Sequence, residues 1–496
     1  MSQSQRMVDA VEGNTHGKSK WAILFTVLVM TFMATLDSSI VNVALPVMQK
    51  ELAVGLDQIQ WVSSVYLLTT CALLLVFGRL GDIFGKVLVF QVGVAAFSLE
   101  SLLCGMAVTL PALVAARAVQ GAGGAAAMAN NMGIITESFP ARERGRALGI
   151  LASFVALGMM CGPVLGGFIV SVLPWEFIFL INVPVGVVSL VVGLKTLPRV
   201  RPERGRSLDV VGSLLIVPGI MLTFFALTSL QAGASPALVA MLAAGVALLV
   251  LFALVERRAQ DPLVVLEVFS QRSFLVNVAC LFISFVAIGV YELMTPFYLQ
   301  DARGFSPTLA GLVFCVISLA NAVSGPISGA VSDRIGCELP TCVGMLLFAV
   351  GLVLVGLFGV DTGLPCILAC LALASLGTSI FQSPNNSLIM GSLPPEALGF
   401  GGSVSALARY LGMAVGISAS TSLLYGQMSV AAGESVTSYV AGRPDIFLYG
   451  YRWVYGVTAV LVAVGFALTL ARLVLKRARR AGGTEHAAPV RGSARG

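Results

Sequence analysis

From residue 21 to residue 472 the chain alternates long apolar runs with short polar breaks, and the runs are close to one length. A helix needs about 20 predominantly apolar residues to cross the hydrocarbon of a bilayer. Fourteen segments meet that rule: 21–46, 58–78, 86–107, 110–136, 146–172, 175–197, 208–230, 235–255, 273–299, 306–331, 339–359, 363–390, 398–425 and 450–472. In lipid every backbone polar group must be satisfied within its own segment, so each run predicts a helix. The pattern therefore predicts an all-α polytopic membrane protein.

Two local patterns repeat. The break after the second run reads GRLGDIFG (Gly78 to Gly85) and that after the tenth reads GAVSDRIG (Gly329 to Gly336), both G-x-x-x-D-x-x-G. Asn130-Asn131 precedes Pro140 as Asn385-Asn386 precedes Pro395. The copies lie eight runs apart, whereas two concatenated six-helix units would place them six apart. Runs seven and eight are then an insert. The predicted plan is a tail (1–20), a six-helix bundle (21–197), a linker with helices seven and eight (198–272), a second bundle (273–472) and a basic tail (473–496). Parallel repeats with a site between them describe a secondary transporter.

Composition supports this reading and narrows it. Hydrophobic residues make up 57% and charged residues 11%, far from the roughly 25% charged of a soluble domain. Of 30 Lys and Arg, placing both termini in the cytoplasm puts 24 inside, four outside (Lys50, Arg303, Arg443, Arg452) and two within runs (Arg117, Arg409). That asymmetry sets the orientation by the positive-inside rule. The net charge of +6 thus belongs to loops and tails facing anionic lipid rather than to a nucleic-acid surface. Nine Cys without a CxxC pair, and two His confined to the tails, predict neither a disulfide framework nor a metal site. GDIFGKV lacks Walker A spacing, so no ATP site is expected, and an enzyme's nucleophile–base constellation is absent as well.

The candidate chemistry is the polar minority inside the runs. Asp37 lies deep in the first, where an ionised Asp costs roughly 2.5–3.5 kcal/mol; such an acid either works or is neutralised by a partner. In the fourth run Arg117, Gln120 and Gly121 share a helix face. Arg117 needs an acceptor, for which Asp37 and Glu100 both qualify; a nearby Arg favours the charged acid, and apolar burial the neutral one. Gly158, Gly162 and Gly166 form a bare stripe beside Pro163 and Gly167, suited to close helix contact. Glu100 and, in the second half, Glu292 are further proton candidates, while Gln382, Asn385 and Asn386 share a face around Pro384 and Arg409 lies in the thirteenth run. Gln120, Asn130 and Asn131 read as cavity residues, as do Gln382, Asn385 and Asn386, for which interhelical hydrogen bonds are the alternative. Gly78, Arg79, Asp82 and Gly85, with Asp333 and Arg334 in the second copy, read as a gating loop.

These residues resemble the major facilitator superfamily, in particular its fourteen-helix drug:proton antiporters. LDSSIVNVALP (Leu36 to Pro46) is similar to the first-helix motif, GRLGDIFGK to the loop motif, LVAARAVQGAGGAA to the fourth-helix motif and GMMCGPVLGG to the antiporter motif. WEFIFLINVPVG and FQSPNNSLIMGSLP resemble further segments. The resemblance implies two six-helix bundles plus two extra helices. It also implies export of amphipathic molecules in exchange for protons across the bacterial plasma membrane, by alternating access. Asp37 would then carry the proton with Arg117 as modulator, the glycine stripe would slide between the halves, and Asp82, Asp333 and Arg334 would latch the cytoplasmic face. A dedicated exporter of one natural product or metabolite, and a proton-coupled uptake symporter, are the alternatives. The expected partners are the small-molecule substrate, protons and membrane lipid, with no cofactor.

Overall fold

A computed structural model describes residues 20–198, 209–229, 235–257, 271–393, 398–436, 438–440 and 442–483. Its long helices are α1 (Lys20–Glu51), α2 (Trp61–Phe84), α3 (Lys86–Gly105), α4 (Leu110–Ser138), α5 (Ala141–Val172), α6 (Asn182–Thr196) and α7 (Val210–Ser229). They continue as α8 (Pro236–Glu256), α9 (Arg272–Phe297), α10 (Pro307–Ile335), α11 (Glu338–Gly356), α12 (Leu364–Gly391), α13 (Leu398–Ala432) and α14 (Pro444–Gly483). Short helical turns at Leu56–Ile59 and Phe177–Leu180 lead into α2 and α6, and α9 runs on into a π-helical turn, Tyr298–Ala302. Each apolar run of the sequence falls on one of these helices. Among the described residues ten stretches are long and apolar enough to cross a membrane, and Leu157–Val172 and Val210–Ala226 are shorter apolar helices.

The helices pack as two copies of one pattern. In the first half α1 lies on α5 and α6, α3 on α4 and α6, and α2 on α4. In the second, α9 lies on α13 and α14, α11 on α12 and α14, and α10 on α12. Adding eight to each helix number of the first set gives the second. Between the halves α5 meets α10 and α2 meets α13, contacts that the same operation interchanges. The added pair, α7 and α8, pack on each other and reach the bundle through α2, where Trp61 meets the rings of Phe224 and Phe225.

Local backbone geometry explains the repeated loop. Both copies end in a glycine with positive φ, 102° at Gly85 and 88° at Gly336. Each closes its helix with the same bond, Gly85 N to Gly81 O and Gly336 N to Ser332 O, both 2.9 Å. A left-handed residue at a helix C-terminus turns the chain sharply, and side chains with a Cβ resist that conformation. The glycines therefore set how α2 hands over to α3 and α10 to α11.

The contacts bridging the halves gather toward the end away from the chain termini. Lys50 pairs with Asp301 at 2.7 Å, Gln300 Nε2 donates to Val43 O at 3.0 Å, and the Tyr425 hydroxyl accepts from Leu56 N at 2.9 Å. Backbones touch where α5 crosses α10: a Cβ on Gly167 would stand 2.3 Å from Pro307 O, and one on Gly311 2.3 Å from Pro163 O. Lipid tails are as apolar as leucine, so helices gain little by hiding leucine from them; small residues that admit close backbone approach supply the packing instead. Gly167→Leu cannot fit this seam and is expected to open it. In a cysteine-free background, Asn42→Cys, buried beneath the seam, should then react several-fold faster with a membrane-impermeant maleimide added on the side opposite the termini. An unchanged rate would show that the seam does not close this end.

Candidate functional site

Asp37 and Arg117 form a buried ion pair in the first half, both about 1% exposed or less. Arg117 sits on the small-residue stretch of α4, whose glycines let α2 and α3 approach: a Cβ on Gly121 would stand 2.7 Å from Tyr66 O, and one on Gly123 2.7 Å from Phe97 N. The guanidinium reaches Asp37 Oδ2 on α1 at 2.5 Å, Gln120 Oε1 at 2.6 Å and, through Nε, Val62 O on α2 at 3.0 Å. Tyr66 and Phe179 lie against it, with ring centroids 4.3 and 5.5 Å from its central carbon. Asp37 Oδ1 accepts from Asn182 at the start of α6, 2.8 Å, and from Gln120, 3.3 Å, while Gln120 also donates to Ser101 on α3 at 2.7 Å. Four helices of the half, α1, α2, α4 and α6, thus meet through one carboxylate and its partner, and α3 joins them through Gln120.

This settles which acid Arg117 takes. Glu100, half-buried on α3, is not among its partners. Gln120, Asn130 and Asn131, expected on a cavity, are instead buried and engaged between helices. Asn130 Nδ2 donates to Ala126 O and to Phe77 O on α2, at 2.9 and 3.2 Å, and its Oδ1 occupies the space a Gly81 side chain would need. Asn131 Nδ2 lies 3.4 Å from Thr31 Oγ1 on α1.

The glycine stripe faces a different neighbour from the one expected. A Cβ on Gly158 would stand 2.0 Å from Thr35 Oγ1, on Gly162 1.8 Å from Ser39 Oγ and on Gly166 2.8 Å from Ile40 Cγ1, all on α1 of the same half. Ser39 Oγ donates to Gly158 O at 3.2 Å. The stripe fixes the height of α1, and so of Asp37, while Pro163 and Gly167 on the adjoining face meet α10. On α5 the contact with the other half is therefore made by the face of Pro163 and Gly167, not by the stripe.

At the junction of the halves stands Glu292, half-buried on α9. Its Oε2 accepts from Asn42 Nδ2 on α1 at 3.2 Å, and Asn42 Oδ1 accepts from Ser63 on α2 at 3.1 Å. On α12 Gln382 and Asn386 are half-buried, whereas Asn385 is buried and donates to Asn277 O on α9 at 3.1 Å. At the terminal end of the bundle Asp82 lies 3.5 Å from Lys86, which also pairs with Glu137. Gly78 and Arg79 are half-buried there, Arg334 is exposed, and the side chain of Asp333 lies outside the described residues.

Sequence reasoning missed Asn42, Ser63 and Asn182. Asn42 stands five residues after Asp37 and Asn182 lies inside the run 175–197, so each is a polar interruption the same search could have flagged. Their partners come from other helices, and no spacing along the chain shows those.

Residues 27–417 match the family model described as Major Facilitator Superfamily. The riboflavin transporter RibZ of Clostridioides difficile is 32% identical over 91% of this chain and 97% of its own length. The puromycin resistance protein pur8 of Streptomyces alboniger is 32% identical over 92% of this chain and 90% of its own. The tetracenomycin C resistance and export protein of Streptomyces glaucescens is 33% identical over 80% and 74%. Among solved structures, an inward-facing, unoccupied bacterial homologue of the lysosomal transporter Spinster aligns with a TM-score of 0.65 at 15% identity, covering 91% of this chain and 96% of that one.

Removing one member of a buried pair leaves the other charge uncompensated. Asp37→Asn is expected to destabilise the first half by about 3–5 kcal/mol, and Arg117→Gln added to it should recover much of that loss. Thermal unfolding in detergent measures both; equal loss in single and double variants would show that the pair does not act as a unit.

Proposed function

This chain belongs to the major facilitator superfamily, and from that premise we propose that it exports hydrophobic or amphipathic small molecules in exchange for protons, by alternating access. It is a multi-pass membrane transporter and not an enzyme, in keeping with relatives named as resistance and export proteins. We place it in the bacterial plasma membrane with both termini cytoplasmic, on the loop charge. The end joined by Lys50–Asp301 and the Gly167–Pro307 contact is then the extracellular end, and it is closed. The proton gradient drives the cycle without ATP or another cofactor.

The observation that carries this reading is the bond from Asn42 to Glu292, which joins α1 of one half to α9 of the other. An ionised carboxylate accepts such a bond more strongly than the neutral acid. The bond ties the two halves together in this outer-closed arrangement, and the proton leaves Glu292 here toward the cytoplasm. When the outer end opens the bond is lost, the acid takes a proton from outside, and a neutral group returns through the membrane at lower cost. Asp37, held by Arg117, Gln120 and Asn182 away from solvent, keeps the first half rigid so that it moves as a body. Gln382 and Asn386 supply polar contacts to the substrate. The loops of Asp82 and Arg334 bound the cytoplasmic opening.

A second reading, a dedicated carrier of one metabolite, is favoured by the riboflavin transporter's match along 97% of its length. Inverted vesicles with an acidic lumen, challenged with dyes, antibiotics and riboflavin while lumenal pH is followed, separate the two by the breadth of response. Glu292→Gln is expected to abolish substrate-evoked proton release while leaving substrate binding within a few-fold. The double variant Asp37→Asn/Arg117→Gln should retain release once folded. Normal coupling in Glu292→Gln would move the proton to Asp37 or Glu100.

A further inference from the structure

Arg409 lies deep in α13, where a membrane cation needs partners. It stands eleven residues beyond the helix start at Leu398, about 16 Å along the axis, and far from the other end at Ala432. Its Nε is buried with no hydrogen-bond partner, and the guanidinium rests against the ring of Phe285 on α9, 5.2 Å from the centroid. Among the described residues no carboxylate pairs with it. The contrast with Arg117 is direct, since that residue has a carboxylate, an amide oxygen, a backbone carbonyl and two rings. Arg472, near the end of α14, bonds to Asn277.

The place of Arg409 is as informative as its lack of a counter-charge. It is half-buried rather than sealed. Two residues earlier Leu407 O accepts from the Cys71 thiol on α2, so this stretch of α13 borders the opposite half. Gly289 on α9 abuts the Met413 backbone, which puts Arg409 about one turn to one side of that level and Glu292 about one turn to the other. Both charges lie at the junction of the halves, and the cation is on the side of the chain termini, the end not closed by the contacts described above.

We propose that Arg409 anchors the acidic group of the transported molecule, so that the exported class is aromatic organic anions rather than amphipathic cations. The proposal rests on the reading of the chain as a proton-coupled exporter. A guanidinium takes a carboxylate, sulfonate or phosphate through paired N–H donors. Phe285 covers one side of it, and an aromatic body can stack on the other, because guanidinium planes accept rings. An uncompensated cation held away from bulk water is costly until an anion joins it, so the binding energy is concentrated on molecules that carry one. The class also fixes the electrical character of the exchange. A leaving anion and an entering proton move charge in the same direction, so the membrane potential drives both.

The test uses the full chain in vesicles with the cytoplasmic face outward, with fluorescein and calcein as anions and ethidium and rhodamine 6G as cations. The anions are expected to enter in exchange for lumenal protons, faster when the interior is made positive. Arg409→Gln should lower their entry at least tenfold, and Arg409→Lys, which keeps the charge but not the fork, should retain part of it. In detergent, fluorescein should raise the unfolding temperature of wild type and not of Arg409→Gln, whose own midpoint without ligand reports that it folds. Proton-coupled entry of the cations, equal in wild type and Arg409→Gln and without entry of the anions, overturns the inference and leaves the exporter reading in place. Anion entry unaffected by Arg409→Gln overturns it too. Dye entry with no proton movement, in wild type and both variants, overturns the coupling on which it rests.

Discussion

The ion pair between Asp37 and Arg117 is the constraint on which the first half depends. Two opposite charges taken out of water are tolerable only when geometry and further hydrogen bonds are good, and losing either leaves a buried charge. Here the further bonds come from Gln120, Asn182 and Val62 O, so satisfying one carboxylate requires α1, α2, α4 and α6 together, with Ser101 of α3 holding Gln120. The pair makes these helices one body. Glu292, by contrast, accepts from a single amide, Asn42, across the junction of the halves.

The second constraint is distance between backbones. In a membrane helices gain from close approach and from interhelical hydrogen bonds rather than from hiding apolar surface. The glycines of α5 divide this work by face: Gly158, Gly162 and Gly166 seat α1, while Gly167 and the carbonyl of Pro163 meet α10. The first set is internal to a half and the second lies between halves.

The halves repeat in packing but not in charge. Arg117 has its carboxylate beside it, whereas Arg409 has an aromatic ring and Glu292 an amide. The buried ion pair of the first half has no counterpart among the described residues of the second.

The sequence by itself determined the helices, their membrane character and the two-fold repeat with its inserted pair. Those follow from the length of apolar runs and from loop spacing, which are local quantities. It also marked Asp37, Arg117, Glu292 and the glycine stripe, because polar or bare positions inside an apolar run stand out against their neighbours. The choice of Asp37 over Glu100 for Arg117, the seating of the stripe on α1, and the bond from Asn42 to Glu292 were decided only by the tertiary structure. Each joins residues 80 to 250 positions apart. Helical periodicity says which residues share a face, but which helix that face meets is set by packing among all the others. For the same reason Asn130 and Asn131, polar in an apolar run like any cavity residue, turned out to be joints between helices.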